Sequence, residues 1–202
     1  MARPSVEAER RDQIMRSACK VIATRGVLGL RVSDVARDAG VSPGIVHYYF
    51  DSKLELIRAA FENNFDRSLD RRAVIFDNRS DHAVEVLTAL VDSYSPVDEE
   101  TIEAWHVWIE LWAAALQDDE LKLVHDRAYS RWAERIEGLI IAGQARGELA
   151  PGDSTALAHH LMGLLDGLSV QALLGSHGMT ATKVQSICAS LIASMREPVE
   201  AV

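Results

Sequence analysis

The stretch Leu30–Lys53, LRVSDVARDAGVSPGIVHYYFDSK, constrains this chain more than any other, because few folds satisfy all of its residues at once. Val35, Ala36 and Ala39 recur at helical spacing and turn inward, with Asp34 and Asp38 left outside, which predicts a short helix from about Ser33 to Ala39. Gly40 can enter the left-handed region that closes a helix, and Val41 then drops into the core. Ser42 is a good N-cap, and Pro43 suits the first helical position, where its missing N–H has no partner to lose. A second helix is therefore expected from Pro43 to about Tyr49. Val46 and Phe50 lie four apart and pack inward, leaving Pro43, Gly44, His47 and Tyr48 on the outer face. Two short helices at a sharp angle, the second slim near its start and partly aromatic outside, have the shape that enters a DNA major groove.

The linked set Val35-Ala36, Ala39-Gly40-Val41-Ser42, Gly44, Tyr49-Phe50 and Lys53, preceded by a helix ending at Gly26, resembles the TetR family of bacterial transcriptional regulators. The resemblance covers about the first quarter of the chain. It implies an all-α protein with an N-terminal three-helix DNA-binding domain, joined by a long fourth helix to a helical ligand-binding and dimerisation domain. On this reading Ser42, Pro43, Gly44, His47 and Tyr48 face base edges or nearby backbone, and Arg31, Tyr49 and Lys53 hold phosphates. Lys53 matches the family's phosphate-binding lysine. The chain departs from the family where a capping Thr or Ser usually stands, since Arg31 or Val32 occupies that place; Arg31 can supply the phosphate contact as a charge.

A net charge of −9 is unexpected for a DNA-binding chain until it is divided. Residues 1–58 hold ten Lys and Arg against seven Asp and Glu, a balance of +3, whereas the remainder holds 11 against 23, a balance of −12. Positive charge is thus concentrated where phosphates are to be met, and the acidic remainder limits non-specific binding. The expected division is a DNA-binding domain at 1–58 and a ligand-binding and dimerisation domain at 59–202.

Few glycines and prolines, no long alternating β-branched runs, and apolar residues three or four apart throughout predict about nine helices. Residues from Met1 to about Glu7 form an expected mobile arm, on which Arg3 either reaches a minor groove or frays without function. Helix 1 is expected from Ala8 to Arg25, with Arg10 and Arg11 as phosphate contacts or solvated charges. Helix 4 is expected from Ser52 to Phe76 with Leu54, Ile57, Phe61, Phe65 and Leu69 along one stripe, long enough to act as a lever between the domains; its end falls in the polar run Asp77–Asp81. A fifth helix ends at Ser95-Pro96, a sixth begins at Asp98 or Glu99, and a seventh runs from Asp118-Asp119 to about Arg146. Asp153 caps an eighth helix that is apolar on more than one side, and a ninth carries Val184, Ile187, Leu191 and Met195. Surplus apolar surface on the last two helices predicts a homodimer formed through helices 8 and 9.

The segment TIEAWHVWIELWAAALQDDELKLVHDRAYSRWAERIEGLI and the later Asp166-Gly167-Leu168 resemble the ligand-binding domain of the choline-sensing, betaine-pathway branch of the TetR family. Trp105, Trp108 and Trp112 share a helical face and form either a cage for a cationic effector or plain core; Glu110 or Asp166 could add a carboxylate, with Tyr129 and Trp132 as further aromatic contacts. In an apolar helix Asp166 reads first as a hydrogen-bonded packing residue and only then as a ligand contact. His106 and Glu110 have metal-ligand spacing but no third partner, and adjacent His159 and His160 point to different faces, so no metal is expected. Cys19 and Cys188 belong to no metal-spacing motif and read as small buried residues.

No nucleophile with a base, metal triad or phosphate loop stands in the sequence, so neither an enzyme nor a cofactor is expected. No segment is apolar over a membrane-spanning length, and the charged N-terminus lacks a following apolar core, which predicts a cytoplasmic protein without membrane contact. The sequence reads as a homodimeric regulator, a repressor released from operator DNA by a small-molecule effector. The alternatives are a helical ligand-binding protein or a ligand-dependent activator.

Overall fold

The computed structural model describes residues 6–77 and 82–196, and the expectations for Arg3 and for most of the polar run after Asp77 lie outside them. Among the described residues the chain forms nine α-helices, one 3-10 turn and no strand. They are α1 (Val6–Gly29), α2 (Val32–Asp38), α3 (Pro43–Tyr49), α4 (Lys53–Asp77), α5 (Ala83–Tyr94), α6 (Glu99–Ala115), α7 (Asp119–Ala145), α8 (Ser154–Leu173) and α9 (Ala181–Ser194).

Side-chain caps set most of these starts. Ser42 accepts from the Ile45 N–H, Ser52 from Glu55, Asp98 from Thr101, Asp153 from Ala156 and Thr180 from Lys183. Each satisfies a backbone donor that a helix start leaves open, a contribution of about 1 kcal/mol apiece. At Glu55 the capping is reciprocal in kind, because its own carboxylate reaches back to the Asp51 N–H at 2.7 Å. Helix α2 closes through Gly40 at φ +62°: the Gly40 N–H bonds to the Arg37 carbonyl and the Val41 N–H to the Ala36 carbonyl, the paired bonds of a Schellman turn.

Two compact units divide the chain, one of residues 1–70 and 103–128, the other of 71–102 and 129–202. The first holds more than the helix-turn-helix. Val107 and Leu111 of α6, with Leu121 and Val124 of α7, share a single buried cluster with Ile14, Ile22, Val35, Val46, Phe50 and Phe61. The stripe expected on α4 is present, with Ile57, Phe61, Phe65 and Leu69 buried and Leu54 half-buried. Asp34 differs from expectation. It is 9% exposed, and its carboxylate is paired with both Arg25 and Arg37, so the charge lies at the α1–α2 contact rather than outside.

The second unit buries Leu87, Leu90 and Val91 of α5, Trp132, Ile136 and Ile140 of α7, Leu161, Met162 and Leu165 of α8, and the inner face of α9. That inner face is Val184, Cys188, Ile192 and Met195; Ile187 is 39% exposed and Leu191 half-buried, so the stripe lies one position around from the expected one. Cys19 and Cys188 are buried free thiols, and burial raises them to about 12 and about 11.

Candidate nucleic-acid interface and effector region

The core of the first unit fixes α3 by two residues and frees the rest. Val46 and Phe50 are each 1% exposed, and burial of such side chains stabilises by about 1.5–3 kcal/mol each. With that side anchored, Ser42, Pro43, Gly44, His47 and Tyr48 are all exposed, as the sequence predicts. Tyr48 is 72% exposed and stands edge-on to Tyr49 with ring centroids 5.1 Å apart, while Tyr49 is half-buried. Ile45 also reaches the surface and adds an exposed apolar side chain to this face, one the helical spacing does not single out. A methyl group on that face suits thymine C5 contacts in a major groove.

Positive charge flanks this face. Arg31 holds the N-cap position of α2 in extended backbone, makes no side-chain cap bond, and is exposed. Lys53 is the exposed first residue of α4. Arg37 is exposed while its guanidinium rests on Asp34. Arg10 donates to Gln13 of α1, and Arg11 stacks 5.0 Å from the ring centroid of Phe50, the residue that closes α3.

The seven residues singled out as effector contacts divide between the two units. In the first, Trp105, Trp108 and Trp112 do share one face of α6. Trp112 touches both others, with centroids 6.1 Å from Trp105 and 6.5 Å from Trp108, and Phe65 stands edge-on to Trp108 at 6.1 Å. The Trp112 indole N–H is buried and has no hydrogen-bond partner. A buried indole N–H ordinarily finds an acceptor. Glu110 is not part of this cluster. At 100° per residue it lies roughly 160° around α6 from the tryptophans, and its carboxylate accepts the Val27 N–H at 2.7 Å.

In the second unit, the Tyr129 hydroxyl donates to Asp166 at 2.9 Å, the packing role that the sequence left open for this carboxylate. Burial, together with Asp166, raises the phenol well above its usual range. Trp132 packs against Tyr94 and Phe76, at 4.5 and 5.9 Å between centroids. The neighbouring aromatic faces already carry cations. The Arg72 guanidinium lies 3.4 Å from the Tyr94 centroid and Arg135 lies 4.8 Å from that of Phe76. Arg72 is buried, donates to the Ser93 hydroxyl and carbonyl, and is pushed below its usual pKa by desolvation. The cavity beside Trp132, lined by Leu87, Leu90, Tyr94, Ile136 and Met162 among others, measures about 10 Å³, room for no more than one water. No group of three or more metal-ligating side chains occurs among the described residues, and no described helix is long and apolar enough to cross a membrane.

Comparison with known proteins covers both the helix-turn-helix and the C-terminal helices. Residues 14–60 match the bacterial regulatory proteins of the tetR family, and residues 83–197 match the C-terminal domain of BetI-type transcriptional repressors. The HTH-type transcriptional regulator BetI of Agrobacterium fabrum is 29% identical over 176 residues, 87% of this chain and 82% of that one. A transcriptional regulator from Saccharomonospora viridis, solved in complex with choline, superposes with a TM-score of 0.85 at 29% identity, covering 92% of this chain and 96% of the other. A TetR-family regulator from Rhodococcus sp. gives a TM-score of 0.83 at 31% identity over 94% and 99% of the two chains. With a helix-turn-helix presented on a buried Val46–Phe50 anchor and a BetI-type domain over more than half its length, the chain belongs to the TetR family as a non-enzymatic, effector-binding transcriptional repressor with a BetI-type C-terminal domain.

Proposed function

We propose that this repressor acts as a homodimer and leaves its operator when the tryptophan face of α6 takes up choline or a closely related quaternary ammonium alcohol. The observation that carries the reading is the Trp112 indole N–H, buried without an acceptor inside a cluster of three tryptophans. Ring faces attract a trimethylammonium group by about 0.5–2 kcal/mol each when desolvated, and the indole donor fits the oxygen that choline carries two carbons away. The choline bound by the Saccharomonospora relative supports the same ligand class. Glu110 has no part in this cage, since its carboxylate is committed to Val27.

Dimerisation through α8 and α9 supplies the DNA geometry. The outer side of α8 carries Gly163 and Gly167, both open to solvent, and Leu174 is 73% exposed; α9 adds Ile187 and Leu191. Such surplus apolar and small-residue surface fits a twofold helical interface. Two recognition helices about 34–36 Å apart enter successive major grooves. Ser42, Pro43, Gly44, His47 and Tyr48 then meet bases or adjacent backbone, while Arg31, Tyr49 and Lys53 meet phosphates. The place of action is the bacterial cytoplasm, where the operator is.

Calorimetric titration of the purified protein with choline and with tetramethylammonium tests the ligand. Binding of choline, and loss of the preference for choline over tetramethylammonium in Trp112→Phe, is expected, because phenylalanine retains a ring face and drops the donor. No heat with any quaternary amine would return the three tryptophans to the core.

A further inference from the structure

The break in α1 is held from a distance. Gly26 adopts φ +70°, ψ 168°, a conformation essentially reserved for glycine. It separates a helix of residues 6–25 from a single turn over residues 27–29. That turn leads through buried Leu30 to Arg31, the N-cap of α2. The Glu110 carboxylate lies flat against this break: Oε2 accepts the Val27 N–H at 2.7 Å, and a Cβ on Gly26 would sit 2.9 Å from Oε2 and 3.2 Å from Oε1. The residue in contact with the entrance to the helix-turn-helix is therefore 83 positions away in sequence, on α6. Across the break, Arg25 at the end of the residue 6–25 helix pairs with Asp34, which also pairs with Arg37, tying that helix to α2, and α2 in turn sets α3 through Val35, Ala36 and Val46.

We propose that Glu110 is a positioning residue for operator binding, clipping α6 to the α1–α2 junction so that displacement of the tryptophan face of α6 is passed to the recognition helix through this clip as well as through α4. Trp105, Trp108 and Trp112 occupy one side of α6 and the clip occupies the other. A rigid helix that is turned or shifted by a ligand on the first side must move the carboxylate on the second. A charge-assisted bond to a backbone N–H is short and directional, so sub-ångström movement is enough to break it. The coupling half of this inference rests on the effector reading above; the positional half rests only on the DNA-binding fold.

The test uses the full-length protein, a duplex selected for tight binding, and Glu110→Ala and Glu110→Gln. The glutamine retains an acceptor oxygen at the same reach. Glu110→Ala is expected to weaken operator binding on the order of tenfold and to speed hydrogen exchange of the Val27 amide. It is also expected to shrink the ratio of operator Kd with and without choline, while choline affinity by calorimetry stays within about twofold of wild type, the pattern expected when only coupling is lost. Glu110→Gln should restore all three. Wild-type operator affinity and Val27 exchange in Glu110→Ala, or equal loss in the alanine and glutamine variants, overturns the proposal. If wild type itself ignores choline, the effector reading fails alone, and the positional half stands or falls on operator affinity and Val27 exchange.

Discussion

Gly44→Ala should separate folding from DNA binding in this protein, because the two processes see opposite sides of one residue. Gly44 is the second residue of α3, has helical backbone and is exposed. A Cβ built there meets only the Ser42 hydroxyl, at 3.7 Å, which is ordinary van der Waals contact. Alanine is therefore accommodated without strain. By reducing the freedom of the unfolded chain, it should stabilise by about 0.4–1 kcal/mol, the lower end applying so near a helix terminus. In a chain of this size about 0.5 kcal/mol raises the midpoint of thermal unfolding by about 1–2 °C. The same methyl points where base edges or sugar-phosphate atoms must approach α3. Loss or displacement of a base-edge contact costs about 1–3 kcal/mol, so operator affinity should fall about 10- to 100-fold, which is about 1.4–2.7 kcal/mol. Thermal unfolding and fluorescence anisotropy on a labelled duplex read the two effects from one preparation. Operator affinity within twofold of wild type would refute the placement of this face against DNA, and a lowered unfolding midpoint would refute the local geometry of α3.

Tyr48→Ala should reduce operator affinity while leaving the sedimentation profile unchanged, because the ring is mostly exposed and contributes little to the core; unaltered binding removes it from the interface. Lys53→Ala should weaken selected and random duplexes almost equally and lower the salt slope by about one ion, whereas a change in sequence preference would contradict a phosphate contact. Asp98 caps α6 through the Thr101 N–H, and that bond holds its carboxyl below the usual carboxylate range. A depressed folded-state pKa means stability that is present above the unfolded pKa and lost as pH falls through the folded one. Asp98→Ala should therefore cost about 1 kcal/mol at neutral pH, with the gap to wild type closing as pH falls below the ordinary Asp pKa of about 3.9; a gap that persists in strong acid would show that the carboxylate is not the cap.

The helix-turn-helix was legible because its signals are local. Ser42, Pro43 and Gly40 each dictate backbone within four residues, and the structure places each in the expected role. Contacts between helices were less so. Asp34 sits on a polar register of α2, yet the approach of α1 brings Arg25 onto it, and only tertiary packing reveals that closure. On α9 the sets Val184-Ile187-Leu191-Met195 and Val184-Cys188-Ile192-Met195 both satisfy helical spacing, and which turns inward depends on the facing helices. Nearness to the tryptophans in sequence makes Glu110, like Asp166, a candidate cage carboxylate. Its partner is a backbone N–H across 83 residues, for which no sequence period exists. Likewise, the helical pattern could not reveal that α6 and the first part of α7 share the core of the DNA-binding helices.

The most direct test of effector-released repression is the operator Kd of the full-length protein measured at zero and saturating choline, with choline binding verified on the same sample by calorimetry. A rise of about 100-fold is predicted, equivalent to about 2.7 kcal/mol of preference for the state that does not bind DNA. An operator Kd unchanged by choline that is demonstrably bound would contradict the account.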